Sequence, residues 1–178
     1  MGLSRVGRGE QAPEEVNVII EIPAHSPPIK YEVDKLTGAL FVDRFLSSSM
    51  RYPCDYGYIP HTLSEDGDPV DVLVICPTPL NMGCVLTCRP VGMLTMTDEA
   101  GIDMKILAVP VNKLTTLYTG ITKPQDLPEP ILDQINHFFE HYKDLEKNKW
   151  VKLGGWLDAS AAKTEIRACM QRYDDLEK

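Results

Sequence analysis

Apolar residues recur along this chain at two periods, and the change of period divides it. From about residue 16 to about residue 110 the period is two. Val16, Val18, Ile20 and Ile22 alternate with Asn17, Ile19 and Glu21, which predicts a half-buried strand that aims Glu21 away from its apolar face. In the next strand Ile29, Tyr31 and Val33 alternate with Lys30, Glu32 and Asp34, so Lys30 and Glu32 point the same way. Leu40 to Leu46, Val70 to Ile75, Val85 to Met96 and Asp103 to Val109 read as further strands, broken by Pro, Gly and Asp. Thr97 to Gly101 is a natural turn between the last two.

The C-terminal third runs at helical spacing. Asp126, Leu127, Pro128 and Glu129 resemble a capping box with its prolines in the first turn, where a missing N–H does no harm. Ile131, Ile135, Phe138, Phe139, Tyr142 and Leu145 then carry a helix to about Lys147. Past a loop around Gly154 and Gly155, Asp158 can cap a second helix striped with Ala162, Ile166, Cys169, Met170 and Tyr173. Short strands followed by two helices predict a mainly β chain, α+β by content: a small barrel or strongly bent sheet with helices packed outside. Residues 1–15 are polar and read as a loosely held arm; the rest is one domain.

Composition narrows the chemistry. The 178 residues, 43% of them hydrophobic, are enough for one real core. A net charge of −8 and a pI near 5.0 argue against a nucleic-acid surface. No apolar run approaches the roughly 20 residues a bilayer requires. The N-terminus carries no segment of the signal-peptide type. Five cysteines without a C-x-x-C pair read as free thiols of a reducing compartment, and the expected location is the cytoplasm.

Two acidic groups stand out. Asp66-Gly-Asp68-Pro-Val-Asp71 places three carboxylates in six residues, where each raises the others' pKa unless a cation sits among them. Hard oxygen ligands at that spacing suit Mg²⁺ or Mn²⁺. An EF-hand loop is excluded, because Asp71 and Pro77 stand where that loop needs Gly and Glu. The other group is the hairpin of Asp98, Glu99 and Asp103, with Lys105 on the same face as Asp103. Taken alone, the first group favours a metal over an acidic surface turn, and the second favours a solvated hairpin tip. Cations recur beside carboxylates at Lys30 with Glu32, at Arg44 after Asp43 and at Lys143 after Tyr142, a pattern that suits an anion held through metal ions. Tyr52, Tyr56 and Tyr58 add phenols that can pack and still donate a hydrogen bond. His137 and His141 lie in an H-x-x-E-H string shared with some zinc peptidases, but only scattered acids follow as a third ligand.

Asp66 to Val72, read as D-G-D-P-V-D-V, resembles the signature of the soluble family I inorganic pyrophosphatases. The likeness continues through E-I-P at Glu21, I-K-Y-E at Ile29, G-A-L-F-V-D-R-F at Gly38, Y-P-C-D-Y-G-Y-I-P at Tyr52, M-T-D-E-A-G at Met96 and H-F-F-E-H-Y-K-D-L-E at His137. It is most similar to the short bacterial members. That resemblance implies a five-stranded OB-type β-barrel with two flanking C-terminal helices, and Mg²⁺-dependent hydrolysis of inorganic diphosphate by direct in-line attack of an activated water. It further implies Asp66, Asp71 and Asp103 as ligands of the metals beside the water. Asp98 and Asp103 would serve metals arriving with substrate, with Glu21, Glu32 and Glu99 in support. Lys30, Arg44, Lys105, Tyr142 and Lys143 would hold the phosphates, Asp68 would be the general base, and Tyr56 would orient the water or a metal. These eight acids and four bases leave about four negative charges, which two Mg²⁺ would balance.

Asp55 departs from the bacterial pattern and reads as an extra carboxylate beside the site, able to tune metal affinity. Bacterial members are typically hexamers, and His137, His141 and Asp144 mark the face expected to contact another subunit. Two other readings stay open at this point: a nucleic-acid-binding OB module, and a metal-binding protein without catalysis.

Overall fold

The computed structural model describes residues 2–176. Eight strands and two helices follow in the order β1 (Val16–Ile22), β2 (Ile29–Val33), β3 (Leu40–Phe45), β4 (Asp55–Tyr58), β5 (Asp71–Val74), β6 (Val85–Asp98), β7 (Gly101–Pro110), α1 (Glu129–His141), β8 (Val151–Asp158) and α2 (Ala159–Leu176). Five of the strands close on themselves. The ladder runs β1-β4-β5-β7-β6, and β6 pairs back onto β1. Closure leaves no free edge within this ring. All its pairings are antiparallel except β5 with β7. The expected five-stranded barrel is present, and β8 extends it as a sixth strand on β6.

β6 belongs to both neighbours because it is long and irregular. Its register against β7 slips between Pro90 and Gly92, at a proline that offers no ladder N–H. At Gly57 of β4 a Cβ would come within 1.9 Å of the Ile19 carbonyl oxygen, so only glycine permits β4 to lie this close to β1.

The strands carry apolar residues on both faces, and the two faces feed different clusters. Leu73, Leu94, Leu107 and Val109 pack with Ile135, Phe138 and Phe139 of α1. Val72, Val74, Ile106 and Ala108 pack with Ala162, Ile166 and Cys169 of α2. β1 is likewise buried on both faces, which corrects the half-buried reading: Ile19 and Glu21 are covered as fully as Ile20 and Ile22. Ile19 meets Val33 and Tyr58, with Leu3 and Val6 of the N-terminal arm against them.

That arm is tied down rather than loose. Both guanidinium nitrogens of Arg8 reach Asp174 of α2 at 2.9 Å, and Glu14 pairs with Lys163. Two further differences are local. α1 ends at His141 rather than near Lys147. The Asp126 carboxylate does not cap α1; it accepts from the N–H groups of Thr122 and Lys123 in the turn before it. Asp158 does cap α2, accepting from the Ala161 N–H at 2.9 Å.

β2 and β3 form a separate two-stranded sheet. It stands off the barrel, with Phe41 and Phe45 exposed. Its attachment runs through Glu21, whose carboxylate accepts the Val33 N–H at 2.7 Å.

Candidate active site

Strand register assembles the centre. In the parallel pair, Asp71 of β5 lies opposite Lys105 of β7, and Tyr58 of β4 lies opposite Asp71. The period of two along β7 puts Asp103 on the same face as Lys105. The outcome is a buried ammonium held on three sides: 2.6 Å from Asp71, 2.8 Å from Asp103 and 3.0 Å from the Tyr56 hydroxyl. Lys105 is 4% exposed.

A cavity of about 160 Å³ opens above it. Thirteen of the fourteen sequence-predicted residues line it: Glu21, Lys30, Glu32, Arg44, Tyr56, Asp66, Asp68, Asp71, Asp98, Asp103, Lys105, Tyr142 and Lys143. Glu99 is the exception and reaches the site through Lys143, whose ammonium it meets at 3.3 Å. The early end of α1 matters here. It releases Tyr142 and Lys143 from the helix so that Lys143 reaches across to Asp98 at 2.6 Å. The β2–β3 hairpin supplies the opposite wall, with the Lys30 ammonium bonded to Glu32 and 3.4 Å from Asp43. Beneath, Tyr52 packs between Tyr56 and Phe138 in tilted ring contacts, with centroids 5.0 and 4.6 Å away.

The carboxylates fall into two electrostatic kinds. Burial would raise Asp98, but the Lys143 ammonium and the Ala100 N–H outweigh it and hold the group below its ordinary value. Glu99 is held low in the same way, burial being outweighed by a backbone hydrogen bond and the charge of Lys143. Asp66, Asp68 and Asp103 go the other way. Burial raises all three, and neighbouring carboxylates add to it: Asp68 and Asp71 against Asp66, Glu32 and Asp71 against Asp68, and Asp71 against Asp103. Glu21 is pushed up to about 7, mainly by burial. Burial alone would lower Lys105; Asp71, Tyr56 and Asp103 together raise it well above its ordinary range. Asp66, Asp68 and Asp103 thus lack positive charge that one ammonium does not supply.

Hard oxygens in that condition fit a divalent cation. Among the described residues no three His, Cys, Asp or Glu side chains already stand as a ligand set. The centre between Asp71 and Asp103 is held by Lys105 instead. The zinc-peptidase string lies outside the cavity: His137 and His141 are exposed, their rings 4.7 Å apart, and His141 Nδ1 is taken by Asp144 at 2.8 Å.

Lys35, Tyr52, Tyr58, Pro69 and Phe139 also line the cavity, outside the predicted set. Lys35 follows β2 in a turn, where no alternation aims it. It donates to the Val33 carbonyl, lies 3.4 Å from Glu21 and sits 3.8 Å over the Tyr58 ring. Asp55 corrects an expectation. It neighbours Tyr56 in β4 and so faces the other side of the strand. There it is 1% exposed and accepts the N–H groups of Ala24 and Leu80, pinning two loops outside the cavity.

Comparison with known proteins agrees with this geometry. The family model described as inorganic pyrophosphatase matches residues 18–174. An inorganic pyrophosphatase of Yersinia pestis is 61% identical over 172 residues, covering 97% of this chain and 98% of that protein. One of Escherichia coli K12 is 62% identical over the same shares of both chains. The structure of an inorganic pyrophosphatase from Coxiella burnetii superposes with a TM-score of 0.91 at 51% identity, covering 94% of this chain and 99% of that one. A cavity that sorts paired from unpaired carboxylates around a buried ammonium, on a closed five-stranded barrel, therefore comes with relatives across almost its whole length: the chain belongs to the inorganic pyrophosphatase family.

Proposed function

We infer that this cavity hydrolyses inorganic diphosphate to two phosphates, with Mg²⁺ held among its carboxylates and Mn²⁺ able to replace it. The observation that carries this reading is the segregation of charge: Asp66, Asp68, Asp71 and Asp103 meet Lys30, Arg44, Lys105 and Lys143 in a single pocket. A pure metal store has no use for the cations, and an anion trap has no use for the acids.

Asp66, Asp71 and Asp103 would hold metal beside the attacking water, and Asp98 with Asp103, supported by Glu21, Glu32 and Glu99, would hold metal brought with substrate. Divalent ions in such places neutralise the diphosphate and lower the pKa of bound water toward roughly 7. The protein's own part is positioning and charge. Lys30, Arg44, Lys105, Tyr142 and Lys143 hold the phosphoryl oxygens and stabilise charge as it moves to the leaving phosphate. Asp68 takes a proton from the water as its oxygen bonds to phosphorus and the bridging P–O bond breaks. Tyr56, fixed by its contact with Lys105, orients the water.

The five free cysteines agree with work in the cytoplasm. None of the described helices is long and apolar enough to cross a membrane. Phosphate release from diphosphate, measured with Mg²⁺ and again with excess EDTA, tests the reading. Release is expected with Mg²⁺ alone. Undiminished turnover in EDTA overturns the metal requirement, and no release with Mg²⁺ overturns the function.

A further inference from the structure

Arg44 is a cation of the cavity whose donors are mostly unspent. Its Nη1 lies 3.5 Å from Glu146 Oε2, the outer limit of a hydrogen bond. Its Nε is buried without a hydrogen-bond partner, with Asp43 Oδ2 3.9 Å away. By contrast Lys105 and Lys143 each engage a carboxylate at 2.6 Å.

Glu146 comes from the segment after α1 and does not line the cavity. Its side chain is only 11% exposed. Oε2 is taken at 2.7 Å by Lys149, three residues on, while Oε1 is buried with no partner at all. An unmatched acceptor on Glu146 therefore accompanies an unmatched donor on Arg44. A fully made pair would consume two of the guanidinium's five donors and compete with an incoming anion. This one is half made. Lys149 draws the carboxylate's charge toward itself, leaving Arg44 restrained in direction with its fork free.

We propose that Glu146, its charge shared with Lys149, is the positioning residue that holds Arg44 pre-aimed at diphosphate. The proposal rests on the diphosphatase reading and deepens it. Holding a long cationic side chain near its bound geometry removes part of the ordering cost of binding. The gain falls on substrate affinity, since Glu146 touches neither the substrate nor the reacting atoms.

The test is a double-mutant cycle at fixed free Mg²⁺, using Glu146→Gln, Arg44→Met and the double variant. Glu146→Gln preserves volume and removes the charge. It is expected to raise KM for diphosphate by roughly two- to ten-fold, with a smaller change in kcat, the range a partly exposed ion pair commands. In the Arg44→Met background the same substitution should leave KM where Arg44→Met alone puts it. Binding of inorganic phosphate by calorimetry should follow the same pattern, and thermal melting of each variant separates lost folding from lost aim. Equal effects of Glu146→Gln in both backgrounds, or an unchanged KM in the wild-type background, overturn the proposal. If wild-type protein releases no phosphate from diphosphate, the underlying function fails instead, and the two failures are distinct.

Discussion

Asp68 and Lys105 show how differently two charges in one pocket can be employed. Asp68 sits at the open rim, bonded to no cation, and its raised pKa comes from burial and from the charges of Glu32 and Asp71. Asp68→Asn should keep the fold and lower kcat by about 10² to 10⁴, the usual share of a general base. It should also remove the acidic limb of the kcat/KM profile; a variant that retains both rate and limb would take the base assignment away from Asp68. Lys105 is instead the buried counter-charge that Asp71 and Asp103 share. Removing one member of a buried ion pair strands the others, at a cost of about 3 kcal/mol or more. Lys105→Met should therefore destabilise the metal-free protein strongly, because Asp71 and Asp103 lose their shared cation. Mg²⁺ should recover more stability in this variant than in wild type, since one site at a hundred times its Kd returns about 2.7 kcal/mol. Denaturant titrations with EDTA and with Mg²⁺ measure both. An equal Mg²⁺ gain in the two proteins would separate Lys105 from the metal site. At this scale the sequence spoke clearly where chemistry is crowded into a short motif. It was silent about Lys35, aimed by a turn, and misleading at Asp55, where adjacency along β4 is not adjacency in space.

Elements were legible wherever a strand or helix shows a clean period. β1, β2, β3, β5, β6 and β7 fall close to the expected spans. β4 escaped because D-Y-G-Y has the glycine and tyrosines of a bend, although that glycine is there to admit β1 at close range. β8 escaped for a similar reason: Gly154 and Gly155 suggest a loop, yet the Gly154 side of the strand packs on Thr95, where a Cβ would stand 2.4 Å from the hydroxyl oxygen. The burial of β1 on both faces was hidden too, since alternation describes one face and the other is covered by groups brought in from β2, β4 and the N-terminal arm. Glu21 bears the consequence. A carboxyl whose folded pKa lies above its unfolded value is a charge that folding opposes. The cost is absent below about pH 4.5, grows as pH rises, and is complete above about pH 7, where it amounts to about 3 kcal/mol. In EDTA, wild-type stability should carry this falling component between those limits. Glu21→Gln keeps an acceptor for the Val33 N–H and should flatten the slope. Chemical denaturation at half-unit pH intervals reads it directly. An unchanged slope in the variant would mean that Glu21 ionises without cost, with Lys35 as sufficient partner.

At the scale of the whole molecule, the end of α1 presents a surface of titratable groups turned outward. His137, His141 and Asp144 are exposed together where α1 runs out, with His141 Nδ1 2.8 Å from Asp144 and the two imidazole rings in tilted contact. The pairing of His141 with Asp144 is made within one chain, so the carboxylate is not held in reserve for a neighbour. We propose this face as the contact between subunits of a hexamer. Closed assemblies commonly use isologous contacts, in which a patch meets its own copy. Two copies then bring four imidazoles together against two carboxylates. Protonation of the imidazoles reverses the net charge of that meeting, from two uncompensated carboxylates to an excess of imidazolium. Mild acid should therefore change association, and replacing His137 and His141 together by alanine should remove the response. Sedimentation velocity between pH 5 and 8 on both proteins, at one protein concentration and fixed Mg²⁺, gives the test. The expected record is a wild-type profile that changes across this range and a double-variant profile that does not move. A double variant that responds to acid just as wild type does would take this face out of the interface.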